Sequence, residues 1–463
     1  MTIKLQKSKT QYLEEFIQHY NQRTQTSKQV STTIRPFLAD NKAVSLFSLP
    51  LKEISYPIVG KRSCGSKIWD VDGNEYLDLI MGYGVNLFGH NPPFIKQAIE
   101  EQLAEGIHLG TQSEVVGEVA ELICELTQME RVAFSNTGTE AVMTAIRLAR
   151  TVTNRNRIAL FSGSYHGHFD GTLVKAKGTN GRLNAVPMAP GIPPNIVNDV
   201  LILEYGNLQS LDSIKNHDRE LAAVLVEPVQ TSNLSLQPKE FLQQLRQLTQ
   251  DAGIPLIFDE MVSGFRIHPG GAQAWFNVSA DIATYGKVVG GGMPIGVIAG
   301  KGVYMDAIDG GMWNYGDSSY PQAQKTFFAG TYCKHPLAMA AARAVLKRIK
   351  RHGFSIQQQL NQRTSEFVAT LNKYFIEGGL PFQVEKFGSV FGFITSDSFV
   401  RANDSNVTMM MQMLFYYNLL YRGILLRGKG GFLSTAHTDD DMNFMIQAVK
   451  DSANELQAAG FIP

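Results

Sequence analysis

Residues 131–150, "RVAFSNTGTEAVMTAIRLAR", change character halfway along. Val132, Ala133 and Phe134 read as a buried strand, Ser135 to Thr139 break it, and Ala141, Ala145, Leu148 and Ala149 then recur on one helical face. A strand passing through a polar loop into a sheet-packing helix is half of a βαβ unit. The loop also carries chemistry. A helix start offers unpaired N–H groups and the positive end of the helix dipole, Gly138 permits close backbone approach, and Thr137 and Thr139 add hydroxyl donors. That outlines a phosphate cradle, although plain N-capping by Ser, Asn or Thr fits the same letters.

The alternation continues outward. "RIALF" (157–161), "AAVLV" (222–226), "PLIF" (255–258) and "IGVIAG" (295–300) read as strands, with helices over 139–152 and 238–252. The fold class predicted is α/β, a large domain over 90–345 with a mainly parallel central sheet covered by helices. Residues 35–89 open a smaller α+β domain with the hairpin "SKIWDVDGNEYLDL", and 346–463 complete it with a long helix, strands near "SVFGFIT" and "GILL", and helices over 407–421 and 439–458. Residues 1–34 are N-terminal helix and linker. Leu13, Phe16, Ile17 and Tyr20 give 10–27 an apolar face that either packs within the fold or docks a partner.

Composition bounds the function. The 463 residues are 44% hydrophobic and 18% charged, with 42 basic against 42 acidic side chains, so the chain has length for a large core and no charge excess for capturing nucleic acid or an anionic membrane. Cys64, Cys124 and Cys333 form no CxxC pair, which points away from disulfides and cysteine zinc sites and toward a reducing cytoplasm. The N-terminus lacks a signal-peptide core, and no window reaches about 18 uninterrupted apolar residues, so a soluble protein is expected.

Two further stretches complete a constellation. "PLIFDEMVSGFR" delivers Asp259 and Glu260 to the C-terminal end of a buried strand, where open α/β sheets bind ligands; a carboxylate there caps the next helix or pairs with a ligand cation. "ATYGKVVGGGMPIG" (283–296) places Lys287 among Val288, Val289, Met293 and Ile295. That is either a solvated loop lysine or an amine held partly dry, fit to act as nucleophile or base. Gly286 and Gly290 to Gly292 let the backbone there pass close to a ligand. The interval between Asp259 and Lys287 has room for one helix and one strand, so both can reach one crevice. Acid, amine and cradle together suggest pyridoxal phosphate. Tyr165, in "FSGSYHGHFDG", suits stacking on a flat ring, and Glu227, in "VLVEPVQ", suits a hydrogen bond to a ring oxygen or a loop cap. His166 and His168 have no further ligand at metal spacing, so no metal is expected. "GDSS" (316–319) lacks the helix of a carrier-protein attachment serine and reads as a loop.

In order, "SNTGTEA", "YHGH", "VEPV", "FDEMVSGFR", "GKVVGGGMPIG", "GTYCKHPLAMAAA" and "STAHTDDD" resemble the class III aminotransferases of the type I pyridoxal phosphate fold, from about residue 35 to the C-terminus. Within that family they are similar to glutamate-1-semialdehyde aminomutases and, more closely, to aminotransferase domains of mixed nonribosomal peptide and polyketide synthases. The resemblance implies Lys287 as Schiff-base lysine and proton shuttle, Asp259 on the pyridine nitrogen and Tyr165 on the ring. It implies Glu227 near the ring hydroxyl, Thr137, Gly138 and Thr139 on the phosphate, and His166 supporting the site from behind. Thr331 corresponds to a threonine that reaches the phosphate of a neighbouring subunit, which implies a homodimer. The aminomutases carry a carboxylate-binding arginine before a phenylalanine in their N-terminal segment; here "KAVSLFSLP" presents Ser45 or Leu46. Loss of that clamp disfavours a free amino-acid-like acceptor. The function expected is therefore transfer of an amino group from an amino acid, such as glutamate or glutamine, onto a β-keto acyl thioester on a carrier protein. The alternatives are a glutamate-1-semialdehyde 2,1-aminomutase and a catalytically silent scaffold domain of a synthase. Arg427 and Lys429, in "LLRGKGG", are candidates for a donor carboxylate or a carrier phosphate, or belong to a solvated loop.

Overall fold

The computed structural model describes residues 7–41, 47–178, 183–426, 428 and 430–463. In it the strand Arg131–Ser135 runs into the helix Gly138–Thr153. Its capping box explains why the helix starts there: Thr137 Oγ1 accepts from Glu140 N at 3.2 Å, while the Glu140 carboxylate accepts from Thr137 N at 3.1 Å and Asn136 N at 2.7 Å. Ala141, Ala145, Leu148 and Ala149 are buried, the face read from the sequence.

The chain divides into two units. The larger holds Gly84–Asn86 and Pro93–Asn361. Its seven-stranded sheet runs Arg131–Ser135, Gly296–Gly300, Ile282–Gly286, Leu256–Asp259, Leu221–Val226, Arg157–Phe161, Val200–Leu203. Gly296–Gly300 is antiparallel to both its neighbours; the remaining pairs are parallel. Leu221–Val226 is buried at every residue, which explains its unbroken apolar run: a parallel strand covered on both faces has no polar side to show. The edge strand Val200–Leu203, "VLIL", is an equally apolar run that the sequence reading did not include.

The smaller unit holds residues to Tyr83, Leu87–Pro92 and Gln362–Pro463. It carries a four-stranded sheet, including the hairpin Lys67–Asp70 and Glu75–Asp78 beside Ile424–Leu425, and a three-stranded antiparallel sheet, Phe382–Phe387, Val390–Thr395 and Gly430–Phe432. The N-terminal stretch read as one helix over 10–27 is broken at Thr24 into two helices. Lys7–Arg23 ends at Thr24, whose hydroxyl donates to Tyr20 O at 2.8 Å, and Gln25–Ile34 follows. This helix packs within its own unit. Leu13, Phe16 and Tyr20 are buried, the Tyr20 ring meets Tyr417 edge-on at 5.6 Å, and Tyr12 donates to Glu455 Oε1 at 2.8 Å.

Candidate active site

The predicted site residues lie in the larger unit, most of them where strands end and loops begin. Asp259 closes Leu256–Asp259, with Thr284 opposite it in the parallel ladder. Both of its oxygens are engaged: Oδ1 accepts from Thr284 Oγ1 at 3.2 Å and Met261 N at 3.1 Å, and Oδ2 lies 2.8 Å from His166 Nδ1. Carboxylate and imidazole are both buried, and His166 Nε2 is buried without a hydrogen-bond partner. Apart from the His166 contact, Asp259 forms no salt bridge to a cationic side chain among the described residues. A buried carboxylate in that position is costly unless a cation joins it. A protonated ring nitrogen is such a cation, so the pair fits pyridoxal phosphate.

Glu260, one residue on, has a different task. It accepts from Ala272 N at 2.6 Å, Gln273 N at 3.0 Å and Ser263 Oγ at 2.7 Å, and burial pushes its carboxyl up to about 7. It therefore caps Gly271–Phe276, and a Cβ on Gly271 would collide with it. Of the two acids carried by one strand end, the structure turns only Asp259 toward His166.

The loop after Arg157–Phe161 presents Tyr165 and His166. The Tyr165 side chain is exposed, while its N–H donates to Glu227 Oε2 at 3.2 Å. Glu227 also accepts from Thr231 N at 3.0 Å. Burial pushes its carboxyl up, against the favourable charge of His166 and these N–H donors. His168 N donates to Thr139 Oγ1 at 3.3 Å, and Gly167, at φ 81, lies so close to Thr139 that a Cβ would collide with it. Loop and cradle are thus in direct contact. With Thr137 and Glu140 serving the capping box, Gly138 and Thr139 hold the first-turn N–H groups that have no intrahelical acceptor.

Lys287 follows the strand Ile282–Gly286 at φ 47, a left-handed conformation that a non-glycine residue adopts at a cost and that often marks functional positions. Val288 and Val289 behind it are buried. Three of the neighbouring glycines are also hemmed in by protein atoms. Added Cβ atoms would stand 2.8 Å from Met261 Sδ at Gly286, 2.9 Å from Ile295 Cγ2 at Gly290, and 2.9 Å from Val345 Cγ2 at Gly291, which also has φ 58.

Thr331 is exposed, one residue after Gly330, whose added Cβ would stand 3.5 Å from Asn136 Nδ2, so this segment passes the cradle loop. Ser45, Leu46, Arg427 and Lys429 lie outside the described residues. Ser319 and Asp317 are hydrogen-bonded, and Ser319 Oγ also accepts from Asn314 N at 2.8 Å, as in a self-satisfied loop. Sequence reasoning missed Met261, Thr284 and the direct His166–Asp259 contact. A polar Thr inside the apolar run "IATYG" was the one available signal. Arg266, fully buried, donates to Gly84 O at 2.8 Å, and burial pushes its pKa down to about 9. Among the described residues no group of three or more His, Cys, Asp or Glu is placed to hold a metal, and no helix is long and apolar enough to cross a membrane.

A family model described as "Aminotransferase class-III" matches residues 50–434. A protein of Desulfitobacterium hafniense named glutamate-1-semialdehyde 2,1-aminomutase is 36% identical over 411 residues, 86% of this chain and 91% of that protein. Among solved structures, an omega-transaminase from Sphaerobacter thermophilus superposes with a TM-score of 0.82 at 30% identity, covering 94% of this chain and 98% of that one. A beta-phenylalanine aminotransferase from Variovorax paradoxus gives 0.80 at 27%, covering 97% and 98%.

Proposed function

The chain belongs to the class III aminotransferases, and from that premise we propose that it moves amino groups with pyridoxal phosphate held between Asp259, Lys287 and the start of the helix Gly138–Thr153. The observation that carries this reading is the buried Asp259–His166 pair, which has a carboxylate at a strand end and calls for a cation. Bound there, pyridoxal phosphate supplies an electron sink that makes a substrate's Cα proton labile. The Asp259 carboxylate keeps the ring nitrogen protonated, and His166, Thr284 and the Met261 N–H hold that carboxylate in place. Lys287 would hold the cofactor through its amine and, once a substrate amine displaces it, would be free to take the Cα proton and deliver it to the product. The N–H groups of Gly138 and Thr139, with Thr137, bind the phosphate. Tyr165 covers the ring, Glu227 serves its hydroxyl, and Thr331 completes a partner subunit's phosphate site in a homodimer.

For the substrate, the aminomutase name of the 36% identical relative favours glutamate semialdehyde. The second reading is a β-keto acyl thioester on a carrier protein. It is favoured by the missing arginine in "KAVSLFSLP" and by likeness to an enzyme named for a β-amino acid. Glutamate semialdehyde given to the purified protein without an amino donor separates the two. Formation of 5-aminolevulinate supports the mutase; its absence, with donor-dependent amination of carrier-loaded β-keto chains, supports the transaminase. The proposal as a whole fails if the purified protein binds no pyridoxal phosphate, or if Lys287→Ala still turns over.

A further inference from the structure

Gly138 begins the helix that carries the cradle and Gly286 ends the strand before Lys287, and neither has a positive φ. Backbone conformation therefore leaves both positions open to alanine. What both lack is space on one side, and the same atom takes it. An added Cβ at Gly138 would stand 2.7 Å from Met261 Sδ, 3.3 Å from its Cγ and 3.5 Å from its Cε. At Gly286 the corresponding distances are 2.8 Å to Sδ and 3.6 Å to Cε, with Ile295 O at 3.1 Å. Met261 is half-buried, packs against the core of the larger unit, and donates its N–H to Asp259 Oδ1 at 3.1 Å. One residue thus touches the acid, the cradle and the approach to the lysine.

We infer that Met261 is a positioning residue whose thioether, wedged between the backbones of Gly138 and Gly286, sets the separation of the phosphate cradle from Lys287. The inference rests on the cofactor assignment above and deepens it. It also gives Gly138 a different cause from ligand approach: the glycine makes room for sulfur. A thioether suits this role because it is unbranched and polarisable, and so fills a narrow, irregular gap between two main chains.

The two causes make opposite forecasts for a double substitution. If Gly138 yields to Met261, Gly138→Ala overfills the gap and Met261→Ala empties it again. If Gly138 yields to the ligand's phosphate, shortening Met261 repairs nothing. The test uses the full chain, stripped of cofactor, with two readouts: pyridoxal phosphate Kd by visible absorbance, and the melting temperature of the apo protein. Gly138→Ala is expected to weaken binding about tenfold and lower the melting temperature. Met261→Ala weakens binding through a loosened gap. Gly138→Ala/Met261→Ala binds better than Gly138→Ala alone, within about threefold of Met261→Ala, the non-additivity expected of residues in contact. Gly286→Ala with its Met261→Ala double repeats the test on the other flank should the first pair fold poorly.

A double variant no better than the product of the singles overturns the inference. So does a Met261→Ala that lowers the melting temperature while leaving Kd unchanged, since the residue would then be packing alone. If the wild-type chain binds no pyridoxal phosphate, the cofactor assignment fails and the positioning role fails with it. In that event the apo melting temperatures still report whether the sulfur is what excludes a side chain at Gly138.

Discussion

Asp259 and Glu260 are neighbours in sequence, both carboxylates and both buried, yet their substitution should break different things. Asp259→Asn turns one acceptor oxygen into a donor facing the group of Thr284 Oγ1, Met261 N and His166 Nδ1, which lie 3.2, 3.1 and 2.8 Å away. It also removes the charge that a protonated ring nitrogen requires. Losing one charged hydrogen bond costs about 1.5–3 kcal/mol, roughly ten- to a hundredfold in cofactor Kd. Glu260→Gln instead opposes an amide N–H₂ to the donors of Ala272, Gln273 and Ser263, and leaves about 1–3 kcal/mol of unsatisfied contact in the fold rather than in the ligand site. The assay is a pyridoxal phosphate titration by absorbance beside urea unfolding of the apo protein. Asp259→Asn should lose most of its binding, whereas Glu260→Gln should lose about 1–3 kcal/mol of unfolding free energy with binding retained.

The pH dependence separates them further. The folded Glu260 carboxyl is pushed up to about 7 from the ordinary 4.5, so the folded chain keeps a proton that the unfolded chain has already released. Its stabilising contribution is complete below about pH 4.5 and is lost as pH rises through about 7. Wild-type stability should therefore fall from about pH 6 to pH 8 by more than that of Glu260→Gln, and the variant's deficit should narrow across that window. The reasoning is refuted if Glu260→Gln loses cofactor as severely as Asp259→Asn, or if its deficit widens with pH.

Two further substitutions probe the frame of the site. A Cβ at Gly296 would run into the Thr137 carbonyl oxygen and Ser135 Oγ, so Gly296→Ala should cost about 3 kcal/mol in urea unfolding and weaken pyridoxal phosphate binding; unchanged values for both would show that the strand and cradle loop are not in contact. Lys334 sits at φ 61, and its side chain makes an exposed 3.2 Å hydrogen bond to Gln112 Oε1. Lys334→Gly should raise stability by about 1 kcal/mol through relief of the left-handed strain, and a lower urea midpoint would contradict that account.

Much of the fold was legible because its signals are local. A strand buried on both faces must be apolar throughout, which made "AAVLV" and "PLIF" readable; a helix on a sheet must repeat small apolar residues, which made 139–152 readable. Short strands whose partners lie far away were harder. Gly430–Phe432 is three residues long, two of them glycine, and is a strand only because Val390–Thr395 pairs with it. In the site, residue types were visible and directions were not. "DE" at a strand end announced two acids, but a parallel strand sends successive side chains to opposite sides, so the helix start at Gly271–Phe276 claimed one and His166 the other.

The sequence alone determined the alternating architecture, the motif set of a class III aminotransferase, and the three chemical parts that pyridoxal phosphate needs: an amine, an acid and a helix start. These follow from residue type and short spacing, which fold only in a few ways. Tertiary structure alone decided that Asp259 pairs with His166 while Glu260 caps a helix, that the N-terminal helix packs within its own unit, and that Met261, Ile295 and Val345 crowd Gly138, Gly286, Gly290 and Gly291. Each of these depends on which side chains from distant strands converge at one end of the sheet. That convergence is a property of strand order and register, and no short window of sequence contains it.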